Sequence, residues 1–562
     1  MGDAIVRKFF DTHKRSRSKP KALRKPKHKE GIMELTRRNF LTAAGAAGAL
    51  AAVGLAGCSS QPQQSSGNNG ENTTEPSVDL SNSTQIDCDM VVVGSGTSGL
   101  VAATRAAELG SKVVLVEKLP ETAVGGCSRY TAGFASFDAK DLEGATGVMS
   151  PEEYIKIQTD YHRNACNIDI VRLYAYQSGP ATDWLIEQGV QFNIAANVHQ
   201  PVAPEVEGAG LTGPGLIDVV YKKSVEYGVE FHFETTALGI LTEGDAVTGI
   251  YAQTADDELL SINAPKVVLA SGGFGANGEL FEKHTGVSYD VVEFYGPDNV
   301  PMGDGIEWGL SMGGTQHHPN AVSYANLKLA DYPGEAAPEN ILFAKQQPLV
   351  WVNGRGKRFV SEQLCTVADW TANGEAVSQQ DKVFSIFDSA FLAHIAEEGP
   401  WQGQLFTDLE ESKPFPNAVS CADTLVEDGS YQCFKADTIA DLATQAGIDA
   451  DTLQATINEY NEFCANGEDT HFGKDSKWLL AVSEPPYYCF KNKLAFYNTL
   501  GGLKVDENCQ VLKMADGQPV PGLYAIGSDA GGAFGYYYNS SVTPGEMQGW
   551  CLASGWVVGN LE

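Results

Sequence analysis

The stretch from Asp89 to Glu117 constrains this chain more than any other. Asp89-Met90-Val91-Val92-Val93 is a short apolar run of strand character, and Gly94-Ser95-Gly96-Thr97-Ser98-Gly99 follows it. Leu100 to Leu109 has a helical pattern, Lys112-Val113-Val114-Leu115-Val116 reads as a second strand, and Glu117 stands at its end. This is a full strand–turn–helix–strand unit around Gly-x-Gly-x-x-Gly, the context in which that motif marks a dinucleotide site. Gly94 allows the tight turn, Gly96 lets backbone approach a pyrophosphate, and Gly99 lets helix pack on strand. The helix start offers N–H groups and partial positive charge to the phosphates. Glu117 is placed to accept the ribose hydroxyls. The fold expected from this unit is α/β, with a Rossmann-like domain.

Charge divides the 562 residues into unlike parts. Residues 1–57 hold 13 Lys/Arg and four acids, so a formal net charge of −32 conceals a far more acidic remainder. Such a body repels phosphate backbones, which excludes nucleic acid as a partner. Arg37-Arg38 before an Ala/Gly-rich apolar stretch resembles a twin-arginine export signal, and Leu55-Ala56-Gly57-Cys58 resembles a lipoprotein cleavage box. The expectation is export by the twin-arginine route, with Cys58 lipidated at the outer face of the membrane or in the cell envelope, and Met33 as the true start. Of residues 59–85, 18 are Ser, Thr, Asn or Gln. They read as a tether, which as a flexible coil spans about 30 Å. Membrane contact is then through a lipid anchor alone. The eleven cysteines show no Cys-x-x-Cys or zinc-like spacing, so no metal, c-type haem or iron–sulfur cluster is assigned. Cys421 and Cys433 are the one pair near enough in sequence to suggest a disulfide.

Further glycine turns follow the first. They are Val124-Gly125-Gly126-Cys127-Ser128 through Gly133, Val267-Val268-Leu269-Ala270-Ser271-Gly272-Gly273, Gly303-Asp304-Gly305, and Pro521-Gly522-Leu523-Tyr524-Ala525-Ile526-Gly527-Ser528-Asp529. With these motifs in this order, residues 86–560 resemble the flavoprotein family of fumarate reductases, succinate dehydrogenases and 3-ketosteroid dehydrogenases. The resemblance implies FAD as cofactor, with contacts at Ser98, Glu117, Cys127, Ser128, Gly133, Ala237, Asp304, Ser528, Ser541 and Val542. Gly126, Gly272, Gly273 and Asn498 join them, and Asp529 is expected to reach the ribityl hydroxyls. No histidine lies between residues 86 and 161, so a flavin–histidine link is not expected and FAD is held non-covalently. The implied organisation is a signal region (1–57), a tether (58–85), an FAD domain in two parts (86–327 and 483–562) and an inserted α+β capping domain (328–482). Within the cap, Val352-Asn353-Gly354-Arg355-Gly356-Lys357-Arg358-Phe359 reads as a hairpin-like turn, and Thr438 to Phe463 as two helices around Gly447.

Fumarate reduction needs cations around a dicarboxylate and a proton donor. The resemblance places that donor, an arginine, in the string read here as Ser361-Glu362-Gln363-Leu364-Cys365-Thr366-Val367-Ala368-Asp369, which has none. The family's His-Thr-Met-Gly-Gly has become Asn498-Thr499-Leu500-Gly501-Gly502, and another family arginine is lost in Gly535-Tyr536-Tyr537-Tyr538-Asn539-Ser540-Ser541. The Gln-x-His-Pro survives as Gln316-His317-His318-Pro319. Aromatic residues replace the charges. The expected catalytic residues are Tyr536, Tyr537, Tyr538 and His318, with Tyr130 and Tyr497 facing the substrate. A phenol that donates to a carbonyl while its ring lines an apolar pocket suits a flat, neutral enone or phenol. The reading is an FAD-dependent oxidoreductase acting on a C=C bond conjugated to a carbonyl, not on fumarate, with electrons from a separate cytochrome or quinol-linked donor. Two alternatives remain: a 3-ketosteroid dehydrogenase-type desaturase, and a flavin-binding electron-transfer or binding lipoprotein without catalysis.

Overall fold

Strands buried on both faces, such as the all-apolar Met90–Val93, belong at the centre of a parallel sheet flanked by helices. The computed structural model describes residues 78–137, 149–195, 198–202, 213–297, 299–333, 337–344, 347–363, 373–402, 410–538 and 543–562. Every described helix and strand lies within Leu80–Glu562. The signal region and most of the tether, with Arg37, Arg38 and Cys58, lie outside the described residues.

The first sheet has six strands in the order Gln510–Leu512, Pro519–Ala525, Lys266–Leu269, Met90–Val93, Val113–Val116, Glu230–His232. The first pair is antiparallel and the others are parallel. Helix Thr97–Glu108 crosses from the central strand to its neighbour and packs along the C-terminal helix Glu546–Gly559. Small residues permit this: a Cβ at Gly555 would lie 2.4 Å from the carbonyl oxygen of Ser98. A second sheet takes Thr84–Asp87, Leu259–Asn263, Ala246–Thr254 and Thr235–Glu243. Thr84 and Gln85 were expected in the tether, but they pair with Leu260 and Ser261. Ile86 packs against the core, and the sheet edge supplies backbone partners that a polar composition does not reveal.

The third sheet is organised by one long strand, Tyr487–Thr499. It pairs with Val292–Phe294 in parallel and with Val322–Leu329, Val383–Asp388 and Cys433–Ala436 antiparallel, while Val350–Asn353 extends the sheet from Val383–Asp388. Three of these strands come from segment 328–482, and the others come wholly or mostly from its flanks. A smaller core of Val350, Val352, Phe384, Leu442, Leu453, Ile457 and Tyr460 sits on one side of the sheet. It is closed by helices Ile439–Ala446 and Ala450–Asn466, which turn at Gly447 (φ +69°). Asp449 starts the second helix by accepting from the N–H of Thr452 at 2.9 Å. In the Gly-Lys-Arg-Phe turn, Arg358 donates to the buried carboxylates of Glu362 and Asp469. Cys421 and Cys433 are both free thiols. Among the described residues, no helix is long and apolar enough to cross a membrane.

Candidate active site

At the end of the central strand, Gly94 has φ +106°, and a Cβ there would lie 2.4 Å from the Ala270 carbonyl oxygen. At Gly99 a Cβ would lie 2.0 Å from the Gly94 carbonyl oxygen, so helix and turn meet only because both residues are glycine. Gly96 differs: a Cβ would meet nothing nearer than Ser128 Oγ at 3.7 Å, which leaves an open face at the helix start. Glu117, 7% exposed, accepts from the N–H and Oγ of Ser95 on Oε2 and from the N–H of Leu119 on Oε1. These bonds aim a carboxylate that keeps one lone pair, on Oε1, for a ribose hydroxyl. Ser128 Oγ accepts from the N–H of Thr97 and ties the Gly126–Tyr130 turn to the helix start. Thr235, two residues before Ala237, donates its N–H to the carbonyl of Glu117. Lys118 lies near both Glu117 and Asp304, and burial lowers its ammonium. Burial pushes the Cys127 thiol up to about 12, so it stays protonated.

A second glycine turn faces the first. Gly272 and Gly273 have φ +96° and +82°, and a Cβ at Gly273 would collide with Thr499 Oγ1 at 2.3 Å. Asn498 Nδ2 donates to Ser528 Oγ at 2.8 Å, and Asn498 Oδ1 is buried without a partner. Asp529 is engaged with the same turn. Its side chain is fully buried: Oδ2 takes the N–H and Oγ of Ser271, and Oδ1 takes the N–H of Gly273. It holds the Ser271–Gly273 turn. Ser528, its neighbour, lies beside Asn498.

Beyond this turn, Gln316–Pro319 runs alongside Gly501–Leu503, with the His317 N–H on the Gly502 carbonyl at 2.8 Å. A Cβ at Gly501 would lie 2.2 Å from the His318 carbonyl oxygen, so this approach requires glycine. His318 sits at φ +46° and bonds through Nε2 to the Ala165 carbonyl at 2.7 Å. A carbonyl only accepts, so Nε2 carries a proton. The ring of Tyr536 is 4.1 Å from that of His318, centroid to centroid, and Tyr537 is 6.3 Å further on. Tyr536 and Tyr537 are 44% and 45% exposed.

The three tyrosines therefore part company. Tyr538 turns inward against Phe534, with its phenol pushed far up by burial and by Glu546, and its hydroxyl meets the N–H groups that start helix Glu546–Gly559. A catalytic role beside His318 does not fit that position. Tyr497 packs at a tilt against Tyr295 at 5.7 Å, and Tyr130 is 55% exposed at the end of the Gly126–Tyr130 turn. Ser541 and Val542 lie outside the described residues, as does the string from Leu364 to Asp369.

Sequence reasoning missed two residues at this end. His162 caps helix Pro151–Tyr161, and Glu546 opens the C-terminal helix. Burial and neighbouring His318 push His162 down to about 4, and burial pushes His317 to about 4 as well, so both rings are neutral near pH 7. The available signal was the spacing Tyr154, Gln158, His162, polar groups four apart on one helical face.

The FAD binding domain family FAD_binding_2 matches residues 89–543. The chain belongs to this family. It is 33% identical over 481 residues to the vinyl phenol reductase of Lactiplantibacillus plantarum, covering 83% of this chain and 94% of that protein. Among solved structures, the open conformation of a flavocytochrome c3 fumarate reductase has a TM-score of 0.62 at 24% identity, covering 84% of this chain and 78% of that one. A 3-ketosteroid-Δ4-(5α)-dehydrogenase from Rhodococcus jostii has a TM-score of 0.57 at 22% identity, with 85% and 97% covered. These likenesses establish the flavoprotein fold. The chain is an FAD-dependent oxidoreductase, and its residues fit the cofactor: a helix start open at Gly96, a carboxylate aimed at Glu117, and an orphaned Asn498 Oδ1 beside Ser528.

Proposed function

We propose that this protein reduces a C=C bond in a neutral, flat aromatic or enone substrate, and that fumarate is not its substrate. The observation that carries this reading is the His318–Tyr536 pair at 4.1 Å, with Tyr536 in the segment where the family resemblance implies an arginine. Two carboxylates need positive charge to leave water, whereas a phenol or enone needs an apolar wall and one hydrogen-bond donor. The likeness to a vinyl phenol reductase supports an alkene conjugated to a phenol ring as the substrate class.

Reduction of such an alkene delivers hydride to one carbon and a proton to the other. Bound FAD, held non-covalently, supplies the hydride. Ser98, Glu117, Ser128 and the Gly94–Gly99 turn hold its dinucleotide half, and Gly272, Gly273, Asn498 and Ser528 hold its flavin side. Tyr536 is then the source of the proton, its O–H directed at the alkene carbon that does not receive the hydride. His318, fixed by Ala165, packs against the Tyr536 ring and keeps it in place. Tyr537 supplies an aromatic wall, and Tyr130 and Tyr497 remain substrate-side candidates. Turnover of 4-vinylphenol and of fumarate with reduced methyl viologen as donor tests the reading. Ethylphenol formation with fumarate unreacted supports it, and fumarate reduction at a comparable rate overturns it.

The leader supports a place for this chemistry. We infer twin-arginine export, lipidation at Cys58, and electrons from a separate cytochrome or quinol-linked protein, for which an acidic body suits a basic partner. Cys58→Ala should move the protein from the membrane fraction to the soluble one, and an unchanged distribution would remove the anchor from the account.

A further inference from the structure

Helix Pro151–Tyr161 ends on a turn in which Arg163 and Asn164 stand at φ +52° and +60°. A helix that ends in the left-handed region usually has glycine there, and two consecutive residues with side chains in that conformation are uncommon. The turn closes with the N–H of Asn164 on the Thr159 carbonyl and the N–H of Ala165 on the His162 carbonyl, both at 2.9 Å. Packing does not account for it, since Arg163 and Asn164 are both exposed. What the turn achieves is to aim the Ala165 carbonyl at His318 Nε2, 2.7 Å away. His318 is itself held at φ +46°, with Gly501 so near its carbonyl oxygen that a Cβ there would lie 2.2 Å away. Of the ten non-glycine residues with positive φ among the described residues, three therefore meet at this one hydrogen bond. Such conformations persist only where the surroundings impose them, and they gather where a functional group must be aimed.

The same stretch borders the segment that carries Tyr536. The Asn167 N–H donates to the Gly532 carbonyl at 2.9 Å, the His162 ring lies so close to Gly535 that a Cβ there would come within 2.8 Å of Nδ1, and the Tyr161 hydroxyl donates to the Tyr538 carbonyl at 3.4 Å. Asn167 Oδ1 also accepts from the N–H of Asp169 and so starts the next helix, Ile168–Glu187. Residues 161–167 are thus pinned between two helices, touch the Tyr536 segment on both sides of that residue, and reach His318 through Ala165. The His318 ring packs on Tyr536.

We propose that the left-handed turn Arg163–Asn164 is the positioning element of this site: through the Ala165 carbonyl it fixes the His318 ring, and through that ring the place of Tyr536. Its residues act through His318 and not on the substrate. This inference rests on the reductase reading for its purpose and on the turn's geometry for its existence, and the two are tested separately. Glycine accepts the φ of Asn164 freely, whereas a β-branched side chain resists it. In proton NMR of the holoenzyme, the His318 Nε2–H, shielded from exchange by Ala165, should give a ring N–H resonance that is absent from His318→Gln. It should persist in Asn164→Gly and vanish in Asn164→Val. With 4-vinylphenol and reduced methyl viologen, Asn164→Val should lower kcat about tenfold at unchanged KM and FAD content, while Asn164→Gly stays within about threefold of wild type. Added to Tyr536→Phe, Asn164→Val should cost little more, because the turn acts through that phenol. Wild-type kcat in Asn164→Val overturns the proposal, as does an intact resonance in that variant or a full tenfold loss in the Tyr536→Phe background. If Asn164→Val does not fold, Asn164→Ala decides by the same readouts. A wild-type protein inactive on 4-vinylphenol, with a resonance that Asn164→Val abolishes, refutes the substrate reading and leaves the turn standing.

Discussion

At the dinucleotide end of the cleft, each buried carboxylate takes three donors from the protein: Glu117 from Ser95 and Leu119, and Asp529 from Ser271 and Gly273. At the substrate end, Glu546 Oε2 and both nitrogens of His162 are buried and unpaired. The first region is specified by backbone, through glycines that no side chain can replace, and its polar groups act on the protein. The second is specified by side-chain identity, and its polar groups are left for something that arrives. A cofactor site can therefore persist across a family while the chemistry beside it changes.

This contrast is open to attack from both sides. The largest effect is expected at Gly99→Val, where a Cβ alone would lie 2.0 Å from the Gly94 carbonyl oxygen. The variant should lose its flavin spectrum and fold poorly, and a yellow, stable Gly99→Val protein would break the backbone half of the comparison. Next is Asp529→Ala, which strands the N–H groups of Ser271 and Gly273 inside the protein. A loss of about 2–3 kcal/mol in denaturant unfolding, with weaker FAD retention, is expected. A change under about 0.5 kcal/mol would show that the turn needs no anchor. Tyr536→Phe should keep FAD and lower turnover about tenfold, about 1.4 kcal/mol of barrier, while Tyr537→Phe changes it less.

Acid should also separate the two ends. His162 and His317 titrate near 4 in the fold against an ordinary 6.5. The unfolded chain then binds protons that the folded chain refuses, so stability present above about 6.5 is lost as pH falls toward 4. Melting temperature should drop across that window, and His317→Gln should flatten part of the drop. An unchanged slope would mean that His317 titrates normally. The smallest effect belongs to Lys156→Ala, at the exposed pair with Asp160, where stability should move by less than about 0.5 kcal/mol.

The dinucleotide end was legible in the sequence because glycine spacing within a strand–turn–helix unit leaves few alternatives. Gly94, Gly99 and Glu117 occupy the positions that their pattern implies. The bonds from Asp529 to Ser271 and Gly273 were not legible, since they join segments far apart in sequence. The substrate end was legible only in part. The missing arginines and the run Tyr536-Tyr537-Tyr538 marked the place, but consecutive residues in an irregular segment point in different directions, and only Tyr536 meets His318. His162 and Glu546 left little trace, because burial of a polar residue is a property of packing. The cap read well at Gly447 and Asp449, where a left-handed turn and a helix cap need particular residues. The long strand Tyr487–Thr499 did not, since its partners come from both sides of the inserted segment.

The central claim is that Tyr536, paired with His318, serves a neutral conjugated alkene beside FAD. Stopped-flow reoxidation of the pre-reduced holoenzyme tests it most directly. The account predicts rapid reoxidation by 4-vinylphenol, none by fumarate, and at least a roughly tenfold slowing in Tyr536→Phe with FAD still bound. Reoxidation by fumarate, or a Tyr536→Phe protein as fast as wild type, would contradict it.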